Sequence, residues 1–123
     1  MLDQPLVFLD VETTGTNAVY DRITEVGLVE MERGRFVGEW SALVNPGVRI
    51  PSVIQAMTGI TDDMVALAPA FEVIAPQLLA RLEGKLLVAH NARFDYGFLR
   101  NEFRRAGLRY TSRVLCKIGR AHV

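Results

Sequence analysis

A short apolar run that ends in two acids is the feature that most constrains the fold of this chain. Leu6–Leu9 is typical of a β-strand buried on both faces, as in the middle of a parallel sheet. Asp10 and Glu12 follow two positions apart, so on a strand their carboxylates project to the same face. Two such acids repel each other and resist desolvation unless a cation lies between them. The pattern predicts a divalent-metal site at the carboxyl edge of a sheet, where open α/β folds place their chemistry.

Length and composition set outer limits on the function. The chain has 123 residues, half of them hydrophobic, which indicates one globular domain. Its 14 basic and 14 acidic residues give a formal net charge of zero, so contact with nucleic acid would be local, through metal ions and a few basic residues. The single Cys116 excludes an internal disulfide and a cysteine-rich zinc site. The sequence has no membrane-spanning or signal pattern, so we expect a cytoplasmic protein without a membrane partner.

The first half of the chain predicts a three-strand antiparallel meander. A turn at 13–17 follows the first strand, and two further strands are expected at about 23–31 and 36–44, joined by a hairpin at Gly34. Ser52 and Thr61 are expected to cap two short helices.

The second half predicts a helix, a buried strand and another helix. The helix at 71–82 contains Pro76, so either it is kinked or its regular part starts near Pro76. The strand at 85–89 leads to Asn91, a suitable N-cap for a helix over 92–106, and a last strand is expected to begin at 114. The fold class is therefore α/β, with a mixed sheet of antiparallel meander and parallel strands flanked by helices.

The helix over 92–106 supplies a third acid. The positions at helical spacing that should face the core are Ala92, Asp95, Leu99, Phe103 and Ala106. Taken alone, Asp95 could cap the helix or pair with Arg93 as readily as bind a ligand. Together with Asp10 and Glu12 it forms a set of hard oxygen ligands suited to Mg²⁺ or Mn²⁺.

Four segments, in order, resemble motifs of the DnaQ-like (DEDD) 3′–5′ exonucleases, a family that includes the proofreading (epsilon) subunit of DNA polymerase III. They lie at 8–15, 22–27, 58–61 and 90–95, and the resemblance covers about 6–116. It implies a ribonuclease H-like fold and a Mg²⁺-dependent 3′–5′ exonuclease for proofreading or repair. Such an enzyme would release nucleoside 5′-monophosphates from single-stranded or frayed 3′ ends of DNA, and it could have a DNA polymerase subunit as partner.

The resemblance also implies roles for individual residues. Asp10, Glu12 and Asp95 would be the catalytic metal ligands, holding two Mg²⁺ or Mn²⁺ ions at the scissile phosphate. The residues implied at the substrate are Thr13, Thr14, Gly15, Ile60, Asn91 and Phe94. For Thr13, Ile60 and Phe94, ordinary turn and core roles stay open as alternatives. Glu25 would support the site from behind the ligands or be simply a polar strand residue, and His90 would be a substrate-side or structural residue.

The family pattern breaks at its third motif, in which a general-base His precedes a fourth metal-binding Asp by five positions. His90 and Asp95 have that spacing, but Asp95 already matches the second motif, and His122 is followed by one residue only. Ile118–Val123 resembles a common sequencing-library adapter translated in frame. We therefore expect residues 1–117 to be a partial exonuclease domain, C-terminally incomplete and inactive by itself, and 118–123 to be a non-native tail; a native short tail is the alternative.

Two other functions remain open from the sequence. An oligoribonuclease-like enzyme would use the same three acids on RNA, because discrimination between sugars depends on 2′-OH contacts that no motif here reveals. A non-catalytic ribonuclease H-like module could bind nucleic acid or a polymerase. Retention of the three acids argues against this second alternative, because a binding module has no need of clustered carboxylates facing phosphates.

Overall fold

A mixed β-sheet organises the chain in the computed structural model, which describes residues 4–116 and 121–122. Within those residues the sheet has six strands in the order β3-β2-β1-β4-β5-β6. The strands are β1 Leu6–Thr13, β2 Ile23–Glu32, β3 Arg35–Leu43, β4 Leu86–Ala89, β5 Val114–Cys116 and β6 Ala121–His122. The helices are α1 Ser52–Thr58, α2 Asp62–Val65, α3 Phe71–Leu82 and α4 Ala92–Arg105. The predicted fold class is confirmed.

Strands β1, β2 and β3 form the predicted antiparallel meander. A two-residue turn of Arg33 and Gly34 joins β2 to β3, and both residues have positive φ angles, of 52° and 74°. This is the signature of a type I′ turn, whose twist matches that of the flanking strands and which favours glycine. The predicted hairpin at Gly34 is therefore confirmed.

Strand β1 has an antiparallel neighbour, β2, on one side and a parallel neighbour, β4, on the other. The expectation that Leu6–Leu9 is buried on both faces is wrong. Val7 and Leu9 are 0% and 2% exposed, whereas Leu6 and Phe8 are only half-buried. The reason is that α3 and α4 pack on the Val7 face, while the Phe8 face borders an open groove in the described part of the chain.

The main core lies between the sheet and helices α3 and α4. It contains the inward side chains of β1 and β2 together with large residues of both helices: Val7, Leu9, Val11, Val26, Leu28, Phe71, Leu78, Leu99 and Phe103. The rings of Phe71 and Phe103 pack edge to face with centroids 5.2 Å apart, and this contact holds α3 against α4. A smaller core of Ile50, Ile60 and Val65 packs under Leu43 and Ile54.

Helix α3 begins at Phe71 and continues through Pro76, so the alternative in which its regular part starts near Pro76 is wrong. Ile74, Ala75 and Leu78 are buried around the proline, and this packing compensates for the hydrogen bond that proline cannot donate. At 12 and 14 residues, α3 and α4 are the longest helices among the described residues, and none there is long and apolar enough to span a membrane.

The residues predicted to cap helices do not all do so in the structure. Thr61 caps α2, because its hydroxyl accepts a hydrogen bond from the backbone N–H of Met64 at 3.3 Å. Ser52 does not cap α1; Pro51 is the N-cap, and its carbonyl accepts from the N–H groups of Ile54 and Gln55, so Ser52 is already helical. Asn91 occupies the N-cap position of α4, but its side chain makes no capping hydrogen bond.

Candidate functional site

Asp10 and Glu12 lie on the same face of β1, as their spacing predicts. Asp10 pairs with Gly27 of β2, and Glu12 pairs with Glu25. Directly paired residues of neighbouring strands share a face, so Glu25 joins the two acids of β1. Asp10 is exposed, and Glu12 and Glu25 are half-buried. Three carboxylates are thus brought together on two adjacent strands.

The electrostatics of this group are unfavourable without a cation. Partial burial raises the pKa of Glu12 above its ordinary value, and the negative charges of Asp10 and Glu25 raise that pKa further. A bound divalent cation would reverse both effects, because it replaces lost hydration and separates the negative charges. The carboxylate oxygens of Asp10 and Glu12 therefore fit a hard divalent cation such as Mg²⁺ or Mn²⁺.

Space for a ligand exists beside Asp10. A groove of about 520 Å³ runs across β1, β2 and β3 on this face, and Phe8, Asp10, Gly27 and Glu39 are among its lining residues. Gly27 has no side chain to fill the position next to Asp10, and a Cβ there would contact only the Asp10 carbonyl oxygen, at 3.9 Å. The groove is thus open beside Asp10.

Asp95 lies in the first turn of α4 and is 5% exposed, so the prediction that it faces inward is confirmed. Its helix follows β4, the parallel neighbour of β1. Within 4–116 and 121–122, no three His, Cys, Asp or Glu side chains form a group that could hold one metal ion. Mg²⁺ is commonly held by one or two carboxylates together with waters and substrate phosphates. A shared role of Asp95 with Asp10 and Glu12 stays a prediction.

The turn after β1 is held by its own polar side chains. The Thr13 hydroxyl donates to the Gly15 carbonyl at 2.6 Å. The Thr14 hydroxyl donates to Asp21 Oδ1 at 3.3 Å and accepts from the Arg22 N–H at 3.0 Å. Both threonines are buried. A Cβ on Gly15 would lie 2.7 Å from Cγ of Asp21, so only glycine fits this close approach. Thr13, Thr14 and Gly15 therefore each help to determine the shape of the turn.

A β-bulge lies where this turn meets the acids. The pairing shifts between Glu12 and Thr13, because Glu12 pairs with Glu25 whereas Thr13 pairs with Ile23. Thr24 is the extra residue and is buried. Bulges bend a strand and re-aim its side chains, and they are frequent beside active sites.

The other predicted substrate residues occupy different environments. Ile60 is 4% exposed within the small core, which favours the core alternative. Phe94 is half-buried and its ring packs against the ring of Phe98 at a 45° tilt, with centroids 4.8 Å apart. His90 and Asn91 are exposed at the junction of β4 and α4. Leu43 pairs with Glu25 and packs on the small core, so that core lies on the same sheet face as Glu12.

One buried acid was missed from the sequence. Glu102 of α4 is 1% exposed and accepts hydrogen bonds from the Arg22 guanidinium and from the backbone N–H of Ile23. It lies seven positions after Asp95, so it shares the inward face of the helix. A second acid at helical spacing from the first was the signal that could have found it. The contact ties the start of β2 to the helix that carries Asp95.

Comparison with known proteins settles the family. The sequence matches the exonuclease family (RNase_T) over residues 7–118. The chain belongs to this family. It is 38% identical over 114 residues to a PolC-type DNA polymerase III of Caldanaerobacter subterraneus subsp. tengcongensis, a match that covers 93% of this chain and 8% of the relative. It is also 38% identical over 108 residues to the 3′-5′ exonuclease DinG of Bacillus subtilis, covering 87% of this chain and 12% of DinG. The chain thus spans about a tenth of these relatives.

Solved exonuclease structures have the same fold. Exonuclease X, solved in complex with 5′ overhanging duplex DNA, superposes with a TM-score of 0.71 at 30% identity, over 90% of this exonuclease chain and 58% of that one. Product-bound exonuclease I gives a TM-score of 0.78 at 20% identity, over 87% of this chain and 27% of that one. The resemblance to DnaQ-like exonucleases and the ribonuclease H-like fold are confirmed.

Proposed function

We propose that this exonuclease-family chain is part of a metal-dependent 3′–5′ exonuclease that removes nucleotides from DNA 3′ ends as nucleoside 5′-monophosphates. The observation that carries the proposal is the placement of Asp10, Glu12 and Glu25 on one face, where burial and then the negative charges of Asp10 and Glu25 raise the pKa of Glu12. Membership in the exonuclease family supplies the reaction class. The 3′–5′ direction, a DNA substrate and a polymerase or repair context are supported by the PolC-type and DinG relatives.

In this proposal Asp10, Glu12 and Asp95 hold the divalent ions. Divalent ions held there would supply a bound water of lowered pKa and a positive charge for the departing 3′ oxygen. The chain's own residues orient these ligands. Glu25 lies opposite Glu12 on β2 and adds a third negative charge that a bound cation would offset, and the buried turn at Thr14 fixes the end of β1. Phe94 and Asn91, at the start of α4, would lie beside the terminal nucleotide.

Metal binding by the chain itself tests the ligand assignment. Titration calorimetry with Mn²⁺ should show binding that weakens at least tenfold in Asp10→Asn and in Glu12→Gln. Asp63→Asn, a change of an exposed acid on α2, is the matched control and should bind as the unmodified chain does. Equal binding by all four proteins would overturn the assignment of Asp10 and Glu12.

Catalysis is tested on the gene product extended beyond Cys116. It should shorten single-stranded DNA from the 3′ end and release 5′-monophosphates, and Asp10→Ala or Asp95→Ala should abolish that release while the fold persists. Variants that remain active would exclude the two-metal assignment, and variants that unfold would indicate a structural role. Parallel assays on RNA of the same sequence decide between DNA and RNA as substrate.

We propose further that residues 1–117 are exonuclease domain and that 118–123 are foreign to it. The family match covers residues 7–118 and none of 119–123, which supports a division close to this point. Residues 117–120 and 123 lie outside the described residues, and Ala121–His122 pairs with β5. A longer sequencing read of the source DNA tests the division. A frame that continues to a His-x₄-Asp would support it, and a stop codon after Val123 would contradict it and favour a binding module.

A further inference from the structure

The outer surface of α4 and the loop after it carries a concentration of arginines that the catalytic acids do not explain. Between positions 93 and 113 all the basic residues are exposed arginines: Arg93, Arg100, Arg104, Arg105, Arg109 and Arg113. The acids of the same segment, Asp95 and Glu102, are both buried on the inward side of the helix. The solvent-facing side of this segment is therefore uniformly cationic, although the whole chain has a net charge of zero.

The arginines are arranged in a row. Arg93, Arg100 and Arg104 are separated by seven and four positions, so at 3.6 residues per turn they share one face of α4. Arg100 and Arg104 also line a groove of about 470 Å³ with Arg109, Tyr110 and Thr111, beyond the end of the helix. The row begins at Arg93, in the first turn of α4 and on the side of the helix opposite the inward-facing Asp95, and continues to the loop beyond the end of the helix.

A helix surface that is merely exposed to solvent usually carries both acidic and basic side chains, whereas this face of α4 carries only basic ones. No carboxylate in the described part of the chain forms an ion pair with Arg93, Arg100, Arg104 or Arg109, whereas Arg105 pairs with Glu102 and donates to the carbonyls of Ala18 and Val19. The Arg100 guanidinium lies over the Tyr96 ring, 5.7 Å from its centroid, which holds it in place. A row of guanidinium groups that no described carboxylate pairs with is suited to a row of phosphates.

We propose that this arginine row, defined as Arg93, Arg100, Arg104 and Arg109, binds the phosphate backbone of the nucleic-acid strand whose 3′ end is at the acids. The inference rests on the proposed function, since it assigns the path of that same substrate. Guanidinium groups that contact phosphates give affinity without reading sequence, which suits an enzyme that must accept any strand. The row would retain the strand after each terminal nucleotide is removed.

Binding measured without metal tests this row separately from catalysis. The full chain is titrated in EDTA against a labelled 12-nucleotide oligothymidylate, and fluorescence anisotropy is followed at several salt concentrations. Replacing Arg100, Arg104 and Arg109 together with Gln should weaken binding at least tenfold. It should also reduce the slope of log affinity against log salt by about 2, because each phosphate contact on a single strand contributes roughly 0.7.

The matched control replaces Arg33, Arg35 and Arg49 with Gln, which removes the same charge from exposed positions elsewhere. Its binding should equal that of the unmodified chain. Equal weakening in both triple variants would overturn the proposal, and so would binding to phosphatidylserine vesicles in place of the oligonucleotide. If the chain binds the oligonucleotide through these arginines but does not bind Mn²⁺, the arginine row is supported and the metal assignment is contradicted. If the chain binds Mn²⁺ but its oligonucleotide binding does not depend on these arginines, the row is overturned and the metal assignment is unaffected.

Discussion

Arg22 and Glu102 are 80 residues apart in the sequence, and their side chains form a bidentate ion pair with contacts between 2.9 and 3.1 Å. Glu102 is almost fully buried and also accepts the N–H of Ile23 at 2.9 Å. The pair joins the start of β2 to α4, so the turn after β1 and the helix of Asp95 are fixed relative to each other.

Removing Arg22 should therefore destabilise the fold strongly. Arg22→Ala leaves the buried Glu102 carboxylate without its main partner, and we expect a loss of about 3 kcal/mol in the free energy of unfolding. Urea denaturation measures the change. Arg104→Ala, a replacement of an exposed arginine whose contact is with Asn101, should change stability by less than about 0.5 kcal/mol. A similar loss in both variants would show that the burial of Glu102 is not the cause.

Gly15 should not tolerate a side chain. In Gly15→Ala the new methyl group overlaps the Asp21 carboxylate, which would have to release its hydrogen bond from the Asn17 N–H. We expect a loss of about 1–3 kcal/mol in the free energy of unfolding. Gly27→Ala is the control, since its methyl group meets only an ordinary contact, and thermal denaturation should distinguish the two. An unchanged melting temperature in Gly15→Ala would contradict the close approach.

Glu30 should make stability depend on pH in the acid range. Its hydrogen bond with Lys85 at 2.8 Å, with help from Arg81 at 3.0 Å, lowers the pKa of this carboxyl below its ordinary value of 4.5. A lowered pKa in the folded state gives stability that is present above pH 4.5 and is lost as the pH falls through the folded pKa. Glu30→Gln should reduce stability by about 1 kcal/mol at pH 7.

The difference in free energy of unfolding between Glu30→Gln and the unmodified chain should narrow toward the acid end of a urea series run from pH 7 to pH 3. Glu32→Gln, at the exposed end of the same strand, is the control and should show no such dependence. A constant difference across the series would mean that the ion pairs of Glu30 do not carry the effect.

Glu12 should show the opposite dependence. Its pKa is raised in the folded state, so the folded chain holds the proton more tightly and stability falls as the pH rises from 4.5 through the folded pKa. Asp10→Asn removes one of the repelling charges and should stabilise the metal-free chain at pH 7 by up to about 1 kcal/mol. Thermal denaturation in EDTA measures the gain. Added Mn²⁺ should stabilise the unmodified chain more than the variant. If Asp10→Asn is less stable than the unmodified chain in EDTA, the charge repulsion between Asp10 and Glu12 is refuted.

The local patterns of the sequence predicted much of this molecule. A period of two placed Asp10 and Glu12 on one face, and a helical period placed Asp95 inward, because both depend only on backbone geometry. The burial of β1 was misjudged, since an apolar run has the same sequence whether one or both faces are covered. Glu102 was missed because its partner is distant in the sequence, and a lone glutamate is seldom fully buried. The side chain of Asn91 does not cap α4, whose N-cap backbone has an unusual ψ of 80°.

The pairing of Leu6 with Leu86 has a consequence for the order of folding. The hairpin of β2 and β3 closes through two residues and needs little loop entropy, whereas the parallel ladder of β1 and β4 must enclose most of the chain. We expect the β2–β3 amides to become protected first in pulse-labelled hydrogen exchange, and those of β4 later. Strand β1 would then be paired on one side only, with β2, until β4 and the helix that carries Asp95 have formed on the other side.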